Sequence, residues 1–219
     1  LVAAGLLTGL NVPRPAPRAA DADGGRPLPA IIRQPAYAVA LFGAATGGGV
    51  MILAMTATPL AMTHHQHALP AAALVIQLHV LGMFLPSFFT GSLIARFGVL
   101  RIMLTGVGLL AGHVLLSLSG TGLASFASAL VLLGIGWNFL YIGGTTLLTE
   151  TYSEAEKGRA QATNDMTIFG VSLLASLSAG LHQLFGWQML NLLLLPWLGT
   201  AALALIWLAS RRRPVAETP

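Results

Sequence analysis

Three stretches of the chain contain no Asp, Glu, Lys or Arg: residues 34–95, 102–149 and 166–210. Each is about twice the roughly 20 residues that an α-helix needs to cross a hydrocarbon core, and each has an uncharged break near its middle. The breaks are Thr63-His64-His65-Gln66-His67-Ala68-Leu69-Pro70, Gly120-Thr121-Gly122 and Phe185-Gly186-Trp187. Three long helical hairpins follow, with six spans expected at 37–62, 71–95, 99–119, 122–149, 162–184 and 187–209. A soluble domain presents roughly 25% charged residues to water, whereas this chain has 8%. A water-soluble globule, a disordered chain and a nucleic-acid-binding domain are excluded on that ground, despite a net charge of +4. With no cysteine there is neither a disulfide framework nor a thiolate metal site. The sequence reads as an all-α integral membrane protein whose solvent is the lipid bilayer.

The basic residues orient it. Arg14, Arg18, Arg26 and Arg33 precede the first span, and Arg96 and Arg101 separate the second from the third. Lys157 and Arg159 separate the fourth from the fifth, and Arg211, Arg212 and Arg213 follow the sixth. All 11 lie on one side and none in the three breaks. The positive-inside rule makes that side cytoplasmic, which predicts a cytoplasmic tail at 210–219 and a cytoplasmic (inner) membrane location. Residues 11–36, rich in Pro and Arg, are then a cytoplasmic linker. Leu1–Leu10 is apolar but too short to span. No basic segment precedes it, as a signal peptide would require. It is expected to be the end of a truncated helix, which places a missing part of the molecule on the N-terminal side.

Two spans are interrupted by small and polar residues at mid-depth. The first carries Gly43, Gly47-Gly48-Gly49, Thr56, Thr58 and Pro59, and the fourth carries Gly134, Gly136, Asn138, Gly143-Gly144 and Thr145-Thr146. They lead two three-helix units of opposite orientation, the pattern of inverted-repeat transporters, in which interrupted helices flank the substrate path. Helix packing is the competing explanation, since Gly43/Gly47 and Gly108/Gly112 have the spacing that lets backbones approach closely.

The turn between the second and third spans reads Gly91-Ser92-Leu93-Ile94-Ala95-Arg96-Phe97-Gly98-Val99-Leu100-Arg101. It resembles the signature turn G-x-L-x-D-R-x-G-R-R of the major facilitator superfamily. Gly91, Leu93, Arg96 and Gly98 match; Ala95 replaces the acid, and Arg101 remains of the closing basic pair. Such decay suits the second copy of the turn, so the resemblance implies a six-helix bundle of two inverted three-helix repeats, the C-terminal half of a twelve-helix transporter. The 11–36 segment resembles the loop joining the two halves. The implied partner is the missing N-terminal half of the same transporter.

Asn138, Tyr141 and Thr145 stand at i, i+3 and i+7 and share one face of the fourth span, with Trp137 beside them. A polar stripe inside a membrane is not expected to face lipid, where its groups would go unpaired, and the resemblance implies that this helix lines the central cavity. These four residues are the leading solute-contact candidates, and an interhelical hydrogen bond is the alternative role. Gln77, His79 and Met55 are further cavity candidates. Met51, Met55, Phe84, Trp137 and Tyr141 together would favour amphipathic or apolar solutes over sugars. His79 could also titrate and relay protons, whereas His113 is expected to be structural and His182 to reach the membrane interface. His64, His65 and His67 could offer imidazole ligands to a metal, but that side has no carboxylate or thiol to complete a set, so no metal site is expected. Asp165 reads as a charge in the first turn of the fifth span, where the helix dipole favours an acid. The resemblance offers it another role, pairing with arginines of the missing half as a gate.

The function expected is secondary active transport of a small solute by alternating access, with protons as a candidate coupling ion and no cofactor. The alternative is a membrane enzyme or a non-transporting scaffold. The spans contain no mid-membrane acid or base besides His79 and His113, and no Gly-rich phosphate loop with Lys, so intramembrane catalysis and ATP binding are not expected.

Overall fold

The structure, a computed structural model, describes residues 25–212. The expected truncated helix at 1–10 lies outside the described residues, as do most of the 11–36 linker and the 210–219 tail. The described part is helical throughout: α1 Leu28–Ile32, α2 Pro35–His64, α3 Leu69–Phe84, α4 Ser87–Phe97, α5 Val99–Ser119, α6 Leu123–Thr149, α7 Lys157–Ala175, α8 Ser178–Leu192 and α9 Leu194–Arg211.

Four helices, α2, α5, α6 and α9, are long and apolar enough to cross a membrane. Two bent pairs, α3–α4 at 42° and α7–α8 at 62°, raise the number of candidate spans to six when each pair counts as one. The order straight helix, bent pair, straight helix thus occurs twice. An odd number of spans per unit reverses the direction of the second, so the two units are inverted. The chain is an integral membrane protein.

Proline sets the elements. Pro35 opens α2 at a first-turn position, where its missing N–H is no loss. Pro86 follows Leu85 at the α3–α4 break, where it has no N–H to continue the ladder. Gly98 alone joins α4 to α5, at φ +87°. That left-handed value is strained for any residue with a Cβ, which explains this glycine of the signature turn. Gly186, at φ +75°, breaks α8 from within and lies in the expected break at 185–187.

The bundle is organised around α6, which packs on α2, α3 and α5. In lipid, helices associate by close packing rather than by the hydrophobic effect, and small residues permit it. A Cβ added at Gly134 would lie 2.6 Å from the His79 carbonyl oxygen and 2.8 Å from the Met83 nitrogen, both on α3. One added at Gly144 would lie 3.0 Å from the Ala40 carbonyl oxygen on α2. The packing explanation therefore holds for these glycines. It does not hold for Gly108, where an added Cβ meets nothing within 4 Å. Side-chain bonds complete the frame: the buried Tyr37 hydroxyl donates to the Ala160 carbonyl at 2.9 Å, and Trp197 Nε1 donates to the buried Thr46 Oγ1 at 2.8 Å.

The two ends differ in chemistry. At one end Arg26 pairs with Glu156 at 2.8 Å and Arg212 with Glu150 at 3.0 Å. At the other, all three uncharged breaks converge: His64, Thr121, Phe185 and Gly186 line a single cavity, and His67 Nε2 lies 2.7 Å from the Thr121 carbonyl oxygen.

Candidate functional site

The polar stripe of α6 divides in the folded chain. Asn138 is 1% exposed, and its amide is occupied by the α3–α4 break. Nδ2 donates to the Met83 carbonyl at 2.7 Å and lies 2.7 Å from Ser87 Oγ, and Oδ1 lies 2.7 Å from Thr90 Oγ1. Thr90 Oγ1 is also 2.8 Å from the Pro86 carbonyl oxygen. The end of a helix leaves carbonyls without intrahelical donors, and at this break, inside a membrane bundle, the side chain on α6 supplies one. Asn138 therefore positions the α3–α4 bend, and a solute could reach it only by displacing those partners. Interhelical bonding, the alternative weighed for this residue, is what the geometry describes.

Its neighbours are differently placed. The Trp137 and Tyr141 rings stack with centroids 5.0 Å apart and planes 11° from parallel. Phe84 meets Trp137 edge-on at 6.5 Å, so the bend that Asn138 holds also sets Phe84 against the stack. Phe84 is 59% and Tyr141 38% exposed. The result is an uncovered aromatic platform built from α3 and α6. Gln77 is exposed on α3 two turns before Phe84, a spacing that puts both on one helix face, and it brings a carboxamide to that face. Thr145 is half-buried, and its hydroxyl turns back to the Tyr141 and Ile142 carbonyls at 2.9 and 3.0 Å. Met55 is half-buried on α2.

His79 does not join the platform. It is buried on the other side of α3, with Nδ1 2.9 Å from the Leu130 carbonyl oxygen of α6. His113 mirrors it from α5, with Nδ1 3.0 Å from the neighbouring Ala129 carbonyl oxygen. Each ring thus braces α6, and in each Nε2 is buried without a partner among the described residues.

Asp165 is exposed and lies two turns inside α7, because that helix begins at Lys157 and has no acid in its first turn. The expectation of a first-turn capping charge is corrected on that ground. Asn164 Nδ2 lies 3.1 Å from its Oδ1. In the signature turn, Gly91 and Arg101 are exposed and Leu93 is half-buried. Arg96 is exposed and lies over the Phe97 ring at 5.2 Å.

His182 lies at the uncharged end of the bundle, near the outer end of its span. It lines the end cavity with His64 and His65. Among the described residues no group of three His, Asp or Glu is placed to hold a metal. Sequence reasoning missed this cavity because its walls come from three separate breaks, and no spacing within one segment signals it.

The chain matches the family model described as Major Facilitator Superfamily over residues 30–219. It is similar to the riboflavin transporter RfnT of Brucella anthropi, 43% identical over 88% of this chain and 48% of that protein. Two Bacillus subtilis proteins, named as uncharacterized MFS-type transporters YdeG and YddS, are 40% and 37% identical over 54% and 58% of this chain. Those matches cover 28% and 31% of their own lengths. The chain thus spans about half the length, or less, of the curated relatives it matches. No solved structure matches.

Proposed function

The chain belongs to the Major Facilitator Superfamily, and from that premise we propose that it is the C-terminal half of a secondary transporter for a planar aromatic solute of the riboflavin kind. The observation that carries the solute class is the stack of the half-buried Trp137 with the exposed rings of Phe84 and Tyr141. A flat conjugated ring system buries area on an indole at low entropic cost, and aromatic pairs gain about 0.5–1.5 kcal/mol beyond that area. The Gln77 carboxamide and the Tyr141 hydroxyl offer hydrogen bonds to polyol or ring polar groups. The named solute of the Brucella anthropi relative, riboflavin, combines a flat tricycle with a hydroxylated chain, which agrees with this face.

Alternating access needs one bundle moving against another around a shared site, and these helices form one bundle. The second bundle is the N-terminal half, for which an uncovered surface is at hand. Met166, Phe169, Leu173 and Leu177 form an exposed stripe along α7 and its break, matched by Leu81 on α3 and Phe88 on α4. Asp165 begins the α7 stripe at the charged end, a position consistent with a gate against the other half. The charged end is cytoplasmic on this reading, with the C-terminus there and the protein in the cytoplasmic membrane. If protons drive transport, the coupling carboxylate belongs to the other half, because the intramembrane titratable groups of this one, His79 and His113, brace α6. The family and its named relatives are transporters, which sets aside a membrane enzyme.

The test is uptake of labelled riboflavin by cells producing the full-length transporter. Stacking of a ring on an aromatic side chain is worth about 1–3 kcal/mol by alanine substitution. Trp137→Ala should therefore raise the half-saturating concentration by roughly 5- to 150-fold at equal protein level, with Tyr141→Phe milder. Unchanged riboflavin affinity in Trp137→Ala would overturn the platform as the solute site.

A further inference from the structure

We propose that the cavity at the uncharged end is a second docking site for an uncharged, hydroxylated ring solute, an entry site on the path to the aromatic platform. It rests on the solute class proposed above. The cavity measures about 740 Å³, within the usual range of roughly 300–1,000 Å³ for small-molecule sites. The platform is a different place. Leu123, at the cavity end of α6, and Trp137 are 14 residues apart, about 20 Å at the helical rise of 1.5 Å per residue.

The lining mixes polar and aromatic groups and carries no acid, Lys or Arg. His64 and His65 come from the end of α2, Ser117 from α5, and His182, Gln183 and Gln188 from α8. Imidazoles, carboxamides and hydroxyls all both donate and accept, so together they suit a ligand rich in hydroxyls and ring nitrogens. Trp187 supplies a fixed aromatic wall: its Nε1 donates to the Ser117 carbonyl at 3.0 Å, and its ring packs on Phe126 at 5.5 Å. Ser117 carries the second indication. The residue borders the cavity and is 3% exposed, and its hydroxyl, closed off behind that surface, has no partner among the described residues. Leaving a buried hydroxyl unpaired is unfavourable, and a turn of this side chain toward the cavity would let a ligand hydroxyl pair it.

Charge decides between a neutral ligand and an anion. The titratable groups at this end are His64 and His65 on α2, His67 in the following loop and His182 on α8. No acid, Lys or Arg occurs in residues 34–95, 102–149 or 166–210. A lining without acid, Lys or Arg favours a neutral solute over an ion.

The experiment is riboflavin binding to the purified full-length transporter, read by flavin fluorescence quenching, with diethyl pyrocarbonate modification of the histidines as a second readout. Two riboflavin molecules should bind per chain at pH 7.5. Ser117→Ala combined with Gln183→Leu should lose one of them, and Trp137→Ala the other. In Trp137→Ala protein, riboflavin should still slow modification of His64, His65 and His182 several-fold at pH 7.5. A single Trp137-dependent site with no histidine protection would overturn the entry site and leave the platform standing. Loss of only the cavity component in the cavity variants, with Trp137→Ala having no effect on binding, would overturn the platform instead. Protection of the same histidines by sulfate and not by riboflavin would overturn the neutral-solute assignment. The chemical protection needs no cavity variant, so a misfolded substitution does not shield the proposal.

Discussion

Asn138 shows how one residue's worth depends on its partners. Its amide meets Met83, Ser87 and Thr90 at 2.7 Å each, within a bundle where the unfolded alternative also finds partners. Interhelical hydrogen bonds in membranes average only about 0.6 kcal/mol, but a buried group left unpaired costs about 1–3 kcal/mol. Asn138→Ala should therefore destabilise the protein by about 1–2 kcal/mol in reversible unfolding in detergent, and should lower transport without abolishing solute binding. A direct solute contact would give the opposite: near-native stability and a large loss of affinity. The sequence placed Asn138, Trp137 and Tyr141 together on one helix but could not separate a brace from a platform.

Among the elements, α6 is the axis of the bundle, and its glycines divide by what they touch. At Gly134 an added methyl group would meet backbone atoms of α3 closer than 3.0 Å, and backbone cannot rotate away. Gly134→Ala should cost about 1–3 kcal/mol or more, as overpacking does, and should disturb the platform, since α3 carries Phe84. Gly108→Ala on α5 meets nothing within 4 Å and should stay within about 0.5 kcal/mol of the parent, as open sites do. Comparison of the two unfolding midpoints checks both. The sequence offered Gly108/Gly112 and Gly43/Gly47 as packing pairs by spacing, but the α3–α6 crossing at Gly82 and Gly134 joins helices distant in sequence, so no spacing reveals it.

At the scale of the whole molecule, the charged end is fastened by Glu156, which is buried although it is charged. The Arg26 guanidinium donates to both its oxygens at 2.8 Å, the Arg26 and Ser153 backbone N–H groups add 2.7 and 2.9 Å bonds, and Arg26 Nη2 reaches the Thr151 carbonyl at 2.9 Å. The segment before α1 is thereby fixed to the loop between α6 and α7. Arg26 and the backbone donors hold the Glu156 carboxyl well below its ordinary value of 4.5. The folded state therefore releases that proton more readily than the unfolded one. Its stabilisation is complete above about pH 4.5 and is lost as the pH falls through the depressed folded value. Glu156→Gln should lower the unfolding midpoint at pH 7 and flatten its fall between pH 4.5 and pH 3. Parallel profiles for parent and variant would show that the charge contributes nothing.

The sequence by itself determined the solvent, the all-helical class and the separation of charged from uncharged segments. Each follows from the cost of placing charge or unpaired backbone in hydrocarbon, which every residue meets independently of its neighbours. Tertiary structure decided which polar groups are spent on the bundle and which stay open. In water, an apolar stripe marks the side of a helix that faces the core. In lipid, the surroundings and the neighbouring helices are both apolar, so the pattern does not say which face meets which. Gln77 and His79 stand two residues apart in one span, yet one is exposed and the other is buried against Leu130. His64 and His182 are far apart in the chain, yet both line one cavity. The packing of α6 among α2, α3 and α5, set by close backbone contacts, made the first assignment, and the packing of α8 on α2 and α5 made the second.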